Sequence, residues 1–112
     1  MITNSDCTLL TKTVTLDRNY AWDKCIYKDV YFESYVGGEQ TETSTKPTHK
    51  CYCCIYGITF VNAHIGDIIV KGAVEEDVVD ITSIKNTYVA YTISKISIYD
   101  TGRTKHVEIE GM

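Results

Sequence analysis

The sequence predicts an all-β fold: a single-domain antiparallel small β-barrel or sandwich of six to eight strands with one long polar loop. Three observations carry this. Thr, Ile and Val supply 38 of the 112 residues, and nine Tyr join them; such side chains suit a pleated, half-buried surface. Leu occurs only at Leu9, Leu10 and Leu16, and Ala is scarce. Short apolar runs alternate with turn signals along the whole length, as they do in barrels and sandwiches. A chain of this length holds one core, so residues 1–112 form one domain.

Taken in order, Cys7 to Leu16 reads as the first strand, with Val14 and Leu16 alternating against Thr13 and Thr15. Asp17-Arg18-Asn19 is a turn, because Asp and Asn side chains bond nearby backbone. Lys24 to Val36 is the next strand, with Ile26, Val30, Phe32 and Val36 facing the core. Tyr27, Tyr31 and Tyr35 fall on the opposite parity as a candidate interface. Gly37-Gly38 ends it. Residues 37–48 carry no large apolar side chain and include Pro47, the only proline. Such a segment buries too little area to offset its ordering entropy, so a flexible loop is expected. Its residues Gly37, Gly38, Glu39, Glu42, Lys46 and Pro47 are the candidate channel or partner contacts.

His49 to Val61 is the densest apolar run and reads as a central strand with a bulge or a bend at Gly57. Gly66-Asp67-Ile68-Ile69-Val70-Lys71-Gly72 is a buried strand framed by turn-forming glycines, with Asp67 and Lys71 facing solvent or a neighbour. Glu75-Glu76-Asp77 forms a solvated turn. Ile81-Thr82-Ser83-Ile84 opens another strand. From Thr87 to Tyr99 the apolar parity changes near Ser94-Lys95, which predicts a bulge or a change of facing. Asp100-Thr101-Gly102-Arg103 is a turn, and Thr104 to Glu110 closes the chain with Val107 and Ile109 inward.

A formal charge of −4 without basic clusters argues against a surface built to neutralise phosphates. No apolar stretch approaches the roughly 18–20 residues that span a bilayer, and the first residues lack the signal-peptide pattern. Synthesis in the cytoplasm and no membrane association are the expectations. Five cysteines (Cys7, Cys25, Cys51, Cys53, Cys54) cannot all pair within one chain, and reduced, buried thiols are expected.

The constellation His49-x-Cys51-x-Cys53-Cys54, with His64 downstream, holds zinc-type ligands. On a strand, Cys51 and Cys53 share one face and Cys54 takes the other, which is awkward for a tetrahedral site. A Cys–His nucleophile there lacks an orienting group and an oxyanion hole. The acidic cluster lacks the spaced ligands of a calcium loop, and the glycines do not lead into a helix as a phosphate loop would. No catalytic residue, metal or cofactor is expected.

Four stretches together resemble a family of small proteins from tailed phages and prophages of Gram-positive bacteria. They are Thr3-Asn4-Ser5-Asp6-Cys7-Thr8-Leu9, the 66–72 strand, Ile81-Thr82-Ser83-Ile84 and His106-Val107-Glu108-Ile109-Glu110-Gly111. The family is described as minor capsid or head–tail joining proteins. The resemblance is strongest after His64, and residues 36–54 depart from it, so no functional residue carries over. It implies a virion structural protein made in the bacterial host cytoplasm. Its role would be a head-closure (stopper) or adaptor subunit in a homo-oligomeric ring, contacting portal, adaptor and tail proteins. Any contact with packaged DNA would be independent of sequence, and an acidic channel wall would let DNA slide. The alternative is a small phage-encoded binding or inhibitor module acting on a host protein through the Tyr27, Tyr31 and Tyr35 face.

Overall fold

Strand β1 (Ser5–Val14) is buried on both faces from Cys7 to Leu10, and the architecture follows from that. Cys7 and Leu9 point one way into a cluster with Val30, Phe32, Ile69, Ile93, Val107 and Ile109. Leu10 points the other way, into a second cluster with Ile68, Val70, Val74 and Ile84. The first cluster fills a barrel; the second lies outside its wall, under a helix.

The barrel comes from a computed structural model that describes residues 2–14, 20–40, 45–100, 102 and 104–112. Side chains at 14, 20, 36–40 and 45–48 lie outside that description. So do Leu16, the 17–19 turn, Glu42, and Thr101 and Arg103 of the last turn. After β1 come β2 (Tyr20–Gln40), β3 (Thr45–Tyr56), β4 (Ile68–Lys71), α1 (Ile81–Thr87), β5 (Ala90–Tyr99) and β6 (His106–Gly111). Six strands close in the order β1-β2-β3-β6-β5-β4, each pairing antiparallel with its neighbours. Closure removes free edges from the barrel wall.

Two bulges set which residues face inward. On β2, Lys28 and Asp29 lie opposite the single residue Asp6, since Cys7 pairs with Tyr27 and Ser5 with Val30. Asp29 takes φ 55° there, and its amide, turned out of the ladder, donates to Asp6 Oδ1 at 3.0 Å. One extra residue shifts the inward parity. Tyr27 therefore faces the interior before the bulge, and Val30 and Phe32 after it. The second bulge falls on β5 between Ile93 and Lys95, as the change of parity predicts, and Ser94 Oγ donates to the Glu110 carbonyl.

The 66–72 stretch is a core strand as expected. Gly66 and Gly72 have φ of 99° and 97°, in the left-handed region that glycine enters without steric cost. Lys71 is exposed. Asp67 does not look outward to solvent or a neighbour: its Oδ2 accepts the His64 amide at 2.8 Å and closes the preceding turn. Thr8, the one buried polar residue among those described, fixes the exit from β4. Its hydroxyl donates to the Gly72 carbonyl at 2.8 Å and accepts from the Val74 amide at 3.0 Å.

Three further expectations are corrected. Residues 81–84 are not a strand but the start of α1, because Asp80 caps it: Oδ1 accepts from Thr82 N at 3.0 Å. Spacing of three places Ile81 and Ile84 on one helical face, against the second cluster. The 37–48 loop is also shorter than expected. Gly37, Gly38, Glu39 and Gln40 continue β2 and pair with Thr48, Pro47, Lys46 and Thr45 of β3. Backbone pairing satisfies this segment without apolar side chains. The central strand, in turn, stops at Tyr56 rather than running on to Val61. Val61 and Ala63 instead join the barrel's interior cluster.

Candidate functional site

The alternation that sends Cys53, Ile55, Val107 and Ile109 into the barrel sends Tyr52, Cys54, Tyr56, His106, Glu108 and Glu110 onto its outer wall. Strand pairing then builds rungs across three or four strands. Glu33, Tyr52, Glu110 and Lys95 make one rung; Tyr31, Cys54, Glu108 and Ser97 make the next; Tyr56, His106 and Tyr99 make a third. The result is an aromatic outer face with a carboxylate at its centre.

A groove of about 470 Å³ lies on this face, bounded by Ile2, Tyr31, Tyr52, Tyr56, His106 and Glu108. The Tyr52 hydroxyl donates to Glu108 Oε1 at 2.5 Å, and His106 Nε2 stands 3.5 Å from the same oxygen. This hydrogen bond from Tyr52 holds the Glu108 carboxyl below the usual range, with smaller help from Tyr99 and His106. Burial, then the same hydrogen bond, pushes the Tyr52 phenol up. Tyr99 stacks on His106 with centroids 4.6 Å apart at 10°, and Tyr31 meets Tyr52 edge-on at 6.3 Å. The Tyr31 hydroxyl donates to Glu33 at 3.2 Å. The Tyr56 hydroxyl donates to the Ile2 carbonyl at 3.1 Å, which ties the N-terminal segment to the groove's rim.

The predicted interface trio divides. Tyr31 belongs to the groove, and Tyr35 is exposed on the same face, opposite Lys50. Tyr27 is corrected: the bulge at Lys28 and Asp29 turns it against the barrel's interior cluster. There it lines a cavity of about 260 Å³ at the barrel's mouth with Leu9, Thr11, Asp23, Cys25 and Asn62. Reading residues from one strand missed Tyr52, Tyr56, Tyr99, His106 and Glu108. The usable signal was their alternation with inward apolar residues on three further strands.

The cysteines divide as strand parity predicts. Cys51 and Cys53 point into the barrel with 0% exposure, and Cys54 lies on the other face at the floor of the groove. Burial pushes the Cys51 thiol up to about 12. A hydrogen bond with Cys7, then burial, pushes Cys53 up as well. Among the described residues no group of three or more His, Cys, Asp or Glu is placed to hold a metal ion. Nor is any described helix long and apolar enough to cross a membrane.

Of the predicted loop residues, Gly37, Gly38, Glu39, Lys46 and Pro47 form the backbone of a two-stranded ribbon. On β3 the pairing with β6 begins at Cys51, and on β2 the pairing with β1 ends at Val30. Beyond these points, among the described residues, β2 and β3 pair only with each other. The radius of gyration of 15.2 Å exceeds the roughly 13 Å of a compact domain of this length.

Fold and face together define a small, single-domain closed β-barrel with a paired arm and an aromatic groove. Over residues 2–112 the chain matches a family described as a family of unknown function (DUF6751), and it belongs to that family. Neither a curated protein nor a solved structure matches it.

Proposed function

We propose that this protein is a structural subunit that works by docking to other proteins. Its proposed assembly is the head–tail junction of a tailed phage, where it serves as a head-closure (stopper) or adaptor ring subunit. The observation that carries the docking reading is the ribbon's β2 edge, which beyond Val30 has no strand partner among the described residues. Val30 O accepts the Asn4 amide at 2.9 Å. The Asn4 side chain then exchanges two hydrogen bonds with the Phe32 backbone, at 2.8 and 3.0 Å. Period two puts the backbone groups of Ser34, Val36, Gly38 and Gln40 on that same edge, past the last β1 partner.

On the other strand, Pro47 lies opposite Gly38, so its missing N–H falls on β3's outer edge. Proline blunts that edge against strand addition, whereas the β2 edge stays competent for it. A neighbouring chain that adds a strand to β2 would give a ring its lateral contacts.

The phage setting is supported by the resemblance of the 3–9, 66–72, 81–84 and 106–111 stretches. The acidic balance suits a wall past which DNA slides. Portal, adaptor and tail proteins are the proposed partners. Cryo-electron microscopy of the virion tests this: ring density for the chain at the neck is the expected result, and density elsewhere in the particle overturns it.

A second reading, a binding module aimed at a host protein, is favoured by the gathering of Tyr31, Tyr52, Tyr56 and Tyr99 on one wall. Mass spectrometry of purified virions separates the two, because an inhibitor is absent from the particle.

A further inference from the structure

We infer that the groove between β2, β3 and β6 receives an arginine side chain presented by a protein partner. This rests on the reading of the chain as a docking subunit and names the chemistry of one contact. Among the described residues, Glu108 is the sole carboxylate lining the groove. Its side chain keeps 27% of its surface exposed, so a ligand can reach it. The neighbouring Glu110 is engaged differently, facing Lys95 Nζ at 3.9 Å. The groove thus offers one negative charge framed by tyrosine rings.

Charge complementarity selects a cation, and the aromatic frame selects its type. Tyrosine faces attract cations through the ring quadrupole. A planar guanidinium can stack on such a ring while its edge bonds a carboxylate, which a compact ammonium cannot do. His106 stands at the groove's edge, its Nδ1 3.1 Å from the Thr104 carbonyl and its Nε2 3.5 Å from Glu108 Oε1. The volume of about 470 Å³ admits a whole side chain with its flanking backbone.

The test is an amide chemical-shift titration of the intact chain with the peptide acetyl-Gly-Arg-Gly-amide. Its lysine and citrulline counterparts are run in parallel, citrulline keeping the shape of arginine without the charge. The expected result is saturable shifts confined to the groove, around Tyr31, Tyr52, Cys54, His106 and Glu108. The lysine peptide binds more weakly, and the citrulline peptide does not bind. Glu108→Gln weakens arginine binding about tenfold. Tyr31→Leu weakens it as well, whereas Tyr31→Phe, which keeps the ring, retains it. The Tyr31 pair decides the matter if Glu108→Gln fails to fold. Citrulline binding equal to arginine, shifts outside the groove, or no binding overturns the inference. Such a failure leaves the assembly reading intact, since that is judged by the chain's position in the virion.

Discussion

The Tyr52 hydroxyl donates to Glu108 Oε1 at 2.5 Å although the two residues are not direct cross-strand partners. Tyr52 stands opposite Glu110, and Glu108 opposite Cys54, so the bond runs diagonally from β3 to β6. It sews the two strands together on the outer wall and orients the carboxylate at the centre of the groove. A charge-assisted bond in this half-exposed setting contributes about 1 kcal/mol. Tyr52→Phe is expected to lower unfolding stability by that amount in urea titration, and no loss would show that the bond is not formed in solution.

Because the folded-state Glu108 carboxyl lies below its ordinary value, the unfolded chain binds the proton more tightly than the native one. The stabilisation is therefore present above the ordinary carboxylate range and is lost as pH falls through the depressed value. Glu108→Gln should flatten this acid limb of the stability curve. An unchanged acid limb in the variant would overturn the assignment.

Thr8 presents a sharper energetic case, since both bonds of its hydroxyl go to backbone at the β4 exit. Thr8→Val keeps the shape but strands the Val74 N–H and the Gly72 carbonyl. A loss of about 2 kcal/mol is expected in urea denaturation, with Thr8→Ser retaining more of the stability than Thr8→Val. Equal stability of the Thr8→Val and wild-type chains would sink this account.

The thiols should differ in reactivity. Cys25 is exposed, and Cys7, Cys51, Cys53 and Cys54 are buried. A colorimetric disulfide reagent should titrate one thiol quickly in native buffer and the other four only on unfolding. Burial raises Cys51 from 9.0 to about 12, so the native state holds this proton more tightly. Stability is then complete below the lower value and declines as pH rises toward the upper one. Cys51→Ala should remove part of that alkaline slope.

Asp29 at φ 55° occupies a conformation that glycine adopts freely and β-branched residues resist. Asp29→Gly should leave stability within a few tenths of a kcal/mol, and Asp29→Val should cost about 1–2 kcal/mol. A tolerated valine would show that the bulge relaxes, and Tyr27 would then turn outward.

The groove shows how little of a site one strand reveals. Tyr31 is recognisable as outward-facing from its own strand, but Tyr52, Tyr56, His106, Glu108 and Tyr99 come from β3, β6 and β5. Their grouping depends on register, which a single alternating run does not specify. Tyr27 fails for a related reason: one inserted residue at the β2 bulge reverses facing, and Lys28-Asp29 carries no strong turn signature.

What the sequence by itself determined is the class of the chain. Its β-branched and aromatic content, its alternating runs, the glycines at 66 and 72, the bulge near Ser94 and the inward Val107 and Ile109 all follow from local steric preference and period two. Only the tertiary structure decided three further things: that six strands close into a barrel, that residues 81–87 form a helix on its outer wall, and that 37–40 and 45–48 pair into an arm. Closure and the arm depend on long-range strand partners, and the helix on a local cap together with a distant apolar cluster. Ile81 and Ile84 become helical because Asp80 caps them and the second cluster needs an apolar face. Gly37 to Gln40 become a strand because β3 supplies their hydrogen bonds, a source of order that hydropathy does not register.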